Sequence, residues 1–241
     1  MRILAIDTSN QTLSVAVMEE NRILGEYTST TKKNHSMTLM PAVTELMKAS
    51  QLKPTDLDRI VVAQGPGSYT GLRIGVTTAK TLAYTLKKEL VGVSSLLTLA
   101  AGCVNVESLI VPLFDARRNN VYTGAYHYNT DQKQWETIVS DHHTSMEVWL
   151  DRLMAYPSIY FVGEDVEKFR ALIEEKLPNA VINEQPQWQI PSGAVLAQLG
   201  AVGTPEKEIH SFLPHYLKRV EAEENWLKEH ALGDENYVEK I

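Results

Sequence analysis

One pattern occurs twice in this chain. Residues 2–6 read as a short apolar strand ending at Asp7, and residues 109–114 read as another ending at Asp115. A polar turn follows each, Thr8-Ser9-Asn10-Gln11 in the first case and Arg117-Arg118-Asn119-Asn120 in the second. Next comes a second strand. Leu13, Val15 and Val17 alternate with Ser14 and Ala16, and residues 121–128 form the counterpart. A third strand completes each set, at 23–27 and at 135–139. The two sets are offset by 108 residues and share negligible sequence identity. Such a repeat in 241 residues predicts two α/β lobes of related architecture, 1–106 and 107–218. An acidic tail follows at 219–241, with seven Asp or Glu against three Lys or Arg.

Between the two sets lies Gly65-Pro66-Gly67-Ser68-Tyr69-Thr70-Gly71-Leu72-Arg73-Ile74-Gly75. The apolar run Ile60-Val61-Val62-Ala63 before it predicts a buried strand, and the proline-free stretch 73–88 after it predicts a helix. Glycines at such a turn permit positive φ and close backbone approach, and amides opening the helix could hold an anion. The spacing is neither a P-loop nor G-x-G-x-x-G, nor the G-x-S-x-G nucleophile elbow. Gly71, Gly75, Ala79 and Ala83 recur every four residues, a narrow stripe of small side chains. Three readings stay open for that stripe: tight packing on its own sheet, packing on a second chain, and ligand binding.

A further helix is predicted from His35-Ser36 to about residue 50, with Ser36 as N-cap; Pro41 implies either that its regular part begins near Met40 or that its first turn is distorted. Met37, Leu39, Met40, Val43, Leu46 and Met47 are too many apolar residues for one narrow face. Either the helix is buried throughout or it also meets a partner chain. In the second half, helices are predicted at 145–154, 166–177 and 192–202.

The net charge of −7 argues against a general affinity for nucleic acid. Cys103 stands alone, so no internal disulfide forms, in keeping with a reducing cytosol. No signal-peptide pattern opens the sequence, and no apolar run approaches the roughly 20 residues of a membrane span. The seven histidines do not fall at metal-ligand spacings, and neither H-E-x-x-H nor C-x-x-C occurs. Asp7 and Asp115 sit at strand ends. There an aspartate holds Mg²⁺ or phosphate in some proteins and merely binds turn amides in others.

Taken together, Ile3-Leu4-Ala5-Ile6-Asp7-Thr8-Ser9, the loop at 65–75, Asp115-Ala116-Arg117-Arg118 with Val121-Tyr122, and Pro214-x-Tyr216-Leu217-Lys218-Arg219 with Glu221-Ala222-Glu223 resemble the bacterial TsaB (YeaZ) family. The motifs span nearly the whole chain in the expected order. The resemblance implies two duplicated actin-like, sugar-kinase-like lobes (the ASKHA, ribonuclease H-like class). It implies a non-catalytic scaffold required for N6-threonylcarbamoyladenosine at position 37 of tRNAs reading ANN codons. The implied partners are the catalytic paralogue TsaD and the ATPase TsaE. A homodimer is implied when the chain is alone, tRNA is met only through the complex, and no membrane is involved. No cofactor is expected on this chain, because ATP and metal belong to the partner subunits.

By the same resemblance the contact with TsaD, or with a second copy, is assigned to Met37, Leu39, Met40, Val43, Leu46, Met47, Gly71, Gly75 and Ala79. Asp7, Thr8, Ser9, Asp115, Arg117 and Arg118 take vestigial phosphate-site positions. TsaD holds its metal with a His-x-x-x-His pair on its first helix, whereas here His35 is followed four residues later by Leu39. Two long cations at Arg117-Arg118 stand where kinases of this fold prefer small residues. A small-molecule kinase of the same fold is the competing expectation. A peptidase finds no zinc motif and no recognisable Ser-His-Asp order.

Overall fold

A computed structural model of the chain describes residues 1–31, 34–103 and 106–218. The predicted acidic tail and residues 104–105, just before the predicted lobe border, fall outside the described residues. The first sheet begins as an antiparallel meander of β1 (Arg2–Asp7), β2 (Leu13–Glu19) and β3 (Arg22–Ser29). Strand β4 (Arg59–Gly65) adds parallel to β1, and β5 (Glu89–Ser94) adds parallel to β4. The order is β3-β2-β1-β4-β5.

The second sheet repeats this plan. Strands β6 (Leu109–Asp115), β7 (Asn120–Asn129) and β8 (Gln134–Ser145) form the meander. Strand β9 (Ile159–Val162) lies parallel to β6, and β10 (Val181–Ile182) parallel to β9. Both the order and every strand direction match the first sheet. The fold is a duplicated two-lobe α/β structure of the actin-like kind.

Ile3, Leu4, Ala5 and Ile6 of β1 are all buried, as an unbroken apolar run requires when both faces of a sheet are covered. Helices α1 (His35–Ala49) and α2 (Tyr69–Leu86) cover one face, against Leu4, Ile6, Val15, Val17, Ile60 and Val62. The other face, with Ile3, Ala5 and Val61, meets Leu196 and Ala197 of a helix from late in the chain (Gly193–Val202). Between the sheets, helix α3 (Ser95–Ala101) packs Leu96, Leu99 and Ala100 against Ile110, Phe114 and Tyr126. Helices α4 (Met146–Leu153) and α5 (Arg170–Lys176) cover the outer face of the second sheet with Trp149, Leu150 and Ile173.

The late helix, α6, belongs by sequence to the second stretch and by packing to the first sheet. Both its ends are fixed there. At its start Ser14 Oγ accepts from Gly193 N at 2.7 Å, and Glu26 Oε1 accepts from Ser192 Oγ at 2.8 Å and Ala194 N at 3.2 Å. At its end the buried Arg59 Nη1 donates to the carbonyls of Gly200, Ala201 and Gly203 at 2.7, 3.0 and 3.2 Å. A cation placed among the last unpaired carbonyls of a helix satisfies acceptors that would otherwise be stranded. The chain therefore crosses between the sheets twice.

Two helix starts differ from expectation. Asn34, not Ser36, caps α1, its Oδ1 accepting from Ser36 N at 3.1 Å and Ser36 Oγ at 2.9 Å. The helix itself runs from His35 to Ala49, as its predicted span has it, with Pro41 inside it. Helix α2 begins at Tyr69 rather than 73, because Ser68 Oγ caps the amide of Gly71 at 3.3 Å. Gly71 is thus a helical residue, as Gly75 was expected to be, rather than a loop residue. Among the described residues no helix is long and apolar enough to cross a membrane.

Candidate functional site

A polar cleft of about 850 Å³ opens between the lobes. Two turns of matching construction face each other there. At the end of β1, Asp7 Oδ1 accepts from Ser9 N at 2.8 Å. At the end of β6, Asp115 Oδ1 accepts from Arg117 N, also at 2.8 Å. Each is an aspartate bonding the amide two residues on, a side-chain mimic of a backbone turn.

The first turn is sealed. Ser68 N donates to Ser9 O at 2.6 Å, and Thr8 Oγ1 donates to Gly71 O at 2.7 Å. A Cβ on Gly67 would strike Ser9 O, one on Gly71 would strike Thr8 O, and one on Gly75 would strike Thr8 Oγ1. That accounts for the glycine spacing: helix α2 lies directly on the turn. Asp7, Thr8 and Ser9 are buried as a result. Asp7 Oδ2 and Ser9 Oγ have no hydrogen-bond partner among the described residues. Burial pushes the Asp7 carboxyl up to about 6, opposed by the Ser9 amide and more distantly by His35. His35 Nε2 lies 2.9 Å from Asn10 O, and Leu39, four residues on, points into the core.

The second turn is open and cationic. Arg117, Arg118 and Asn119 all have positive φ, at 67°, 53° and 59°. Such a conformation costs a residue with a side chain on the order of 1 kcal/mol or more. It is held by Asn120 Nδ2, which donates to the carbonyls of Arg117 and Arg118 at 3.3 and 3.2 Å, and by Met146 N donating to Asn119 O at 2.9 Å. Lys168 Nζ bridges Asp115 Oδ2 at 2.7 Å and Asp165 Oδ1 at 2.8 Å. Burial works to raise the Asp115 carboxyl, but the Lys168 bond, the Arg117 amide and both cations outweigh it and hold it below the usual range. Sequence alone missed Asp165 and Lys168, whose pairing with Asp115 spans about fifty residues.

The other expected residues divide by burial. Leu39, Val43, Leu46 and Met47 belong to the core under the first sheet, and so do Gly71, Gly75 and Ala79. In the single chain the sheet of their own lobe covers them, which is what the burial shows of residues expected at a contact with another chain. A charge at Leu46 or Gly75 would enter that core. Met37, 75% exposed, and Met40, 42% exposed, remain on the surface of α1. Arg73, Thr77, Thr81 and Tyr84 are exposed along α2.

Away from the cleft lining, Asp141 receives hydrogen bonds from Tyr126 Oη and from Ser94 Oγ, the latter at 2.6 Å. Ser94 also caps α3 at Leu97 N, 3.0 Å away. This half-buried group joins the lobes and was not foreseen, since its members lie on β5, β7 and β8. Among the described residues no group of three or more His, Cys, Asp or Glu gathers as a metal site.

The comparisons with known proteins fall on this geometry. A family model described as TsaD, tRNA N6-adenosine threonylcarbamoyltransferase, matches residues 22–226. The "tRNA threonylcarbamoyladenosine biosynthesis protein TsaB" of Bacillus subtilis (strain 168) is 43% identical over 232 residues, covering 95% of this chain and 99% of that protein. The chain belongs to the TsaB family. The TsaB of Escherichia coli (strain K12) is 34% identical over 128 residues, 52% of this chain and 55% of that one. A crystal structure titled as an uncharacterized protein with similarity to peptidase YEAZ, from Pseudomonas aeruginosa, superposes with a TM-score of 0.75 at 25% identity. It covers 90% of this chain and 99% of that one. A second structure, YeaZ from the same organism, gives 0.72 at 24% identity. In this TsaB-family chain the first turn is packed shut and the second presents cations.

Proposed function

We propose that this chain is a non-catalytic scaffold subunit in the formation of N6-threonylcarbamoyladenosine at position 37 of tRNAs reading ANN codons. It binds the catalytic paralogue TsaD, with TsaE as the ATPase partner, and self-associates when TsaD is missing. tRNA reaches it only through the complex. ATP and metal sit on the partner subunits, and the assembly works in the cytoplasm. The observation that carries this reading is the full-length likeness to a protein named for that biosynthesis, 43% identical over 95% of the chain. The exposed methionines of α1 support the docking role. Met37 and Met40, three residues apart on α1 and both exposed, form an adaptable apolar strip.

A small-molecule kinase of the same fold is the second reading, favoured by the paired aspartates at the cleft. Against it stand the sealing of Asp7 beneath α2 and the two arginines in the opposite turn. The test is reconstitution of tRNA threonylcarbamoylation from TsaC, TsaD and TsaE, with and without this chain. Product that requires the chain, from a chain that gives no heat with ATP and Mg²⁺ in calorimetry, is the expected outcome. Equal product in its absence overturns the proposal, and heat of ATP binding by the isolated chain turns the reading to the kinase.

A further inference from the structure

The group formed by Ser94, Asp141 and Tyr126 has no part in the scaffold reading, yet three local devices build it. The first is a bulge. Thr123 of β7 pairs with His142 of β8, and Ala125 pairs with Val139, so Gly124 alone spans the interval that Ser140 and Asp141 fill on β8. An extra residue in one strand interrupts the ladder and re-aims a side chain. The second device is the glycine. A Cβ on Gly124 would lie 2.8 Å from Asp141 Oδ1 and 3.2 Å from Tyr126 Oη, so its absence leaves room for the carboxylate. The third is a helix cap. Ser94 closes β5 of the first sheet, and its Oγ accepts from Leu97 N at the start of α3, 3.0 Å away.

The three devices meet across the lobes. Ser94 Oγ donates to Asp141 Oδ2 at 2.6 Å, Tyr126 Oη donates to Asp141 Oδ1, and the two hydroxyl oxygens lie 3.3 Å apart. Each carboxylate oxygen thus takes one hydroxyl, and one of the two comes from the other lobe. Hydrogen bonds to an ionised acceptor are the stronger kind. Burial pushes the Asp141 carboxyl above its usual range, and the Ser94 and Tyr126 bonds act against that, with smaller contributions from His215 and His142. Leu96, Leu99 and Ala100 of α3 pack on Ile110, Phe114 and Tyr126 of the second sheet. The helix that Ser94 caps therefore rests on the sheet that carries Asp141. Turning one lobe on the other would draw Asp141 from Ser94 and disturb that packing. Ser94, Tyr126 and Asp141 all stand outside the lining of the interlobe cleft, so they can set its width without meeting anything bound there.

We propose that this group is a clasp that holds the two lobes at one angle, so that the interlobe cleft of about 850 Å³ keeps its width instead of closing. Two-lobe enzymes commonly close around a substrate to shield the reaction from water, and the clasp opposes hinge motion of that kind. In a platform protein a fixed angle presents both lobes to a partner as one rigid surface. The clasp holds the angle whether or not the chain is a scaffold.

The test uses the full chain with spin labels at Lys48→Cys on α1 and Glu175→Cys on α5, both exposed positions. Pulsed electron resonance reads the distance between them, and excess unlabelled chain removes distances between copies. The native Cys103 is buried, with its thiol pushed up to about 12, and takes no label. Asp141→Ala removes the clasp and leaves the Ser94 cap in place. Ser94→Asp keeps a capping oxygen and sets two carboxylates against each other. Tyr126→Phe removes one hydroxyl and little packing, and Ser94→Thr keeps both cap and donor. The parent chain and Ser94→Thr are expected to give one narrow distance distribution. Asp141→Ala and Ser94→Asp are expected to give a distribution at least about twice as wide, and Tyr126→Phe one about half as wide again as the parent. Thermal melts identify the variants that fold. A broad distribution in the parent chain overturns the clasp, and so does parental width in any folded variant of the three that break it.

Discussion

The two aspartate turns share one backbone device and have opposite electrostatics. Asp7 and Asp115 each bond the amide two residues on, at the same distance. Asp7 is buried with one oxygen that has no partner among the described residues, and its carboxyl is pushed up to about 6. Asp115 is partly exposed, bridged by Lys168 and held low. The difference comes from the element after each lobe's fourth strand. After β4 comes a glycine-rich turn and an 18-residue helix that lies on Thr8 and Ser9. After β9 comes Gly163 and a short 3-10 segment, Glu164–Phe169, which carries Asp165 and Lys168 up to the turn. Duplication thus preserved the turn, while its neighbour decided whether the turn became a packing surface or a charged one.

The largest effect that would break this comparison is at the seal. Gly71→Val places a side chain against the Thr8 carbonyl, and a loss of about 3 kcal/mol or more in urea unfolding is expected. A loss below about 1 kcal/mol would mean that α2 does not rest on the first turn.

Asp7 comes next. Its folded value is raised above the unfolded one, so its contribution to stability is fully present below about pH 4 and is lost as pH rises through about 6. A shift of about two units corresponds to about 3 kcal/mol at pH 8. Asp7→Asn keeps an acceptor for Ser9 N and removes the buried charge. Relative to the parent chain it should gain about 2–3 kcal/mol between pH 4 and pH 8, read from urea melts at both. A difference between the two chains that does not change with pH would contradict the burial of an ionisable Asp7.

The second turn moves less and in the opposite sense. Asp115 is lowered, so its contribution is present above the unfolded value near pH 4 and fades as pH falls through the folded one. Lys168 is half exposed, and solvent screening limits the pair. Lys168→Met should therefore cost below about 1 kcal/mol at pH 7 and nothing near pH 2. NMR titration should show the Asp115 carboxyl moving up in the variant, and an unmoved titration would remove Lys168 as the cause.

Much of the duplicated architecture was legible because both lobes state it locally: apolar run, Asp, polar turn, alternating strand. The helix at 192–202 was legible for the same reason, and Ser192, which caps α6, sits directly beside it. The features that stayed hidden depend on distant pairs. The return of α6 to the first sheet is fixed by Arg59, 141 residues from the first carbonyl it caps. The small-residue stripe of α2 was ambiguous in sequence because close approach to a sheet and close approach to another chain require the same side chains. The structure assigns it to Thr8 and Val62. An excess of apolar residues on α1 was a real signal, but only Met37 and Met40 of that set remain outside the core.

That division between covered and open residues decides how the proposed docking surface is to be tested. Titration of TsaD with this chain and with its Met37→Asp, Met40→Asp variant, by calorimetry, is the most direct measurement. The scaffold account predicts association weakened at least about a hundredfold in the variant, with its thermal midpoint unchanged because both side chains are exposed. Undiminished affinity in a folded variant would contradict it and place the contact elsewhere on the molecule.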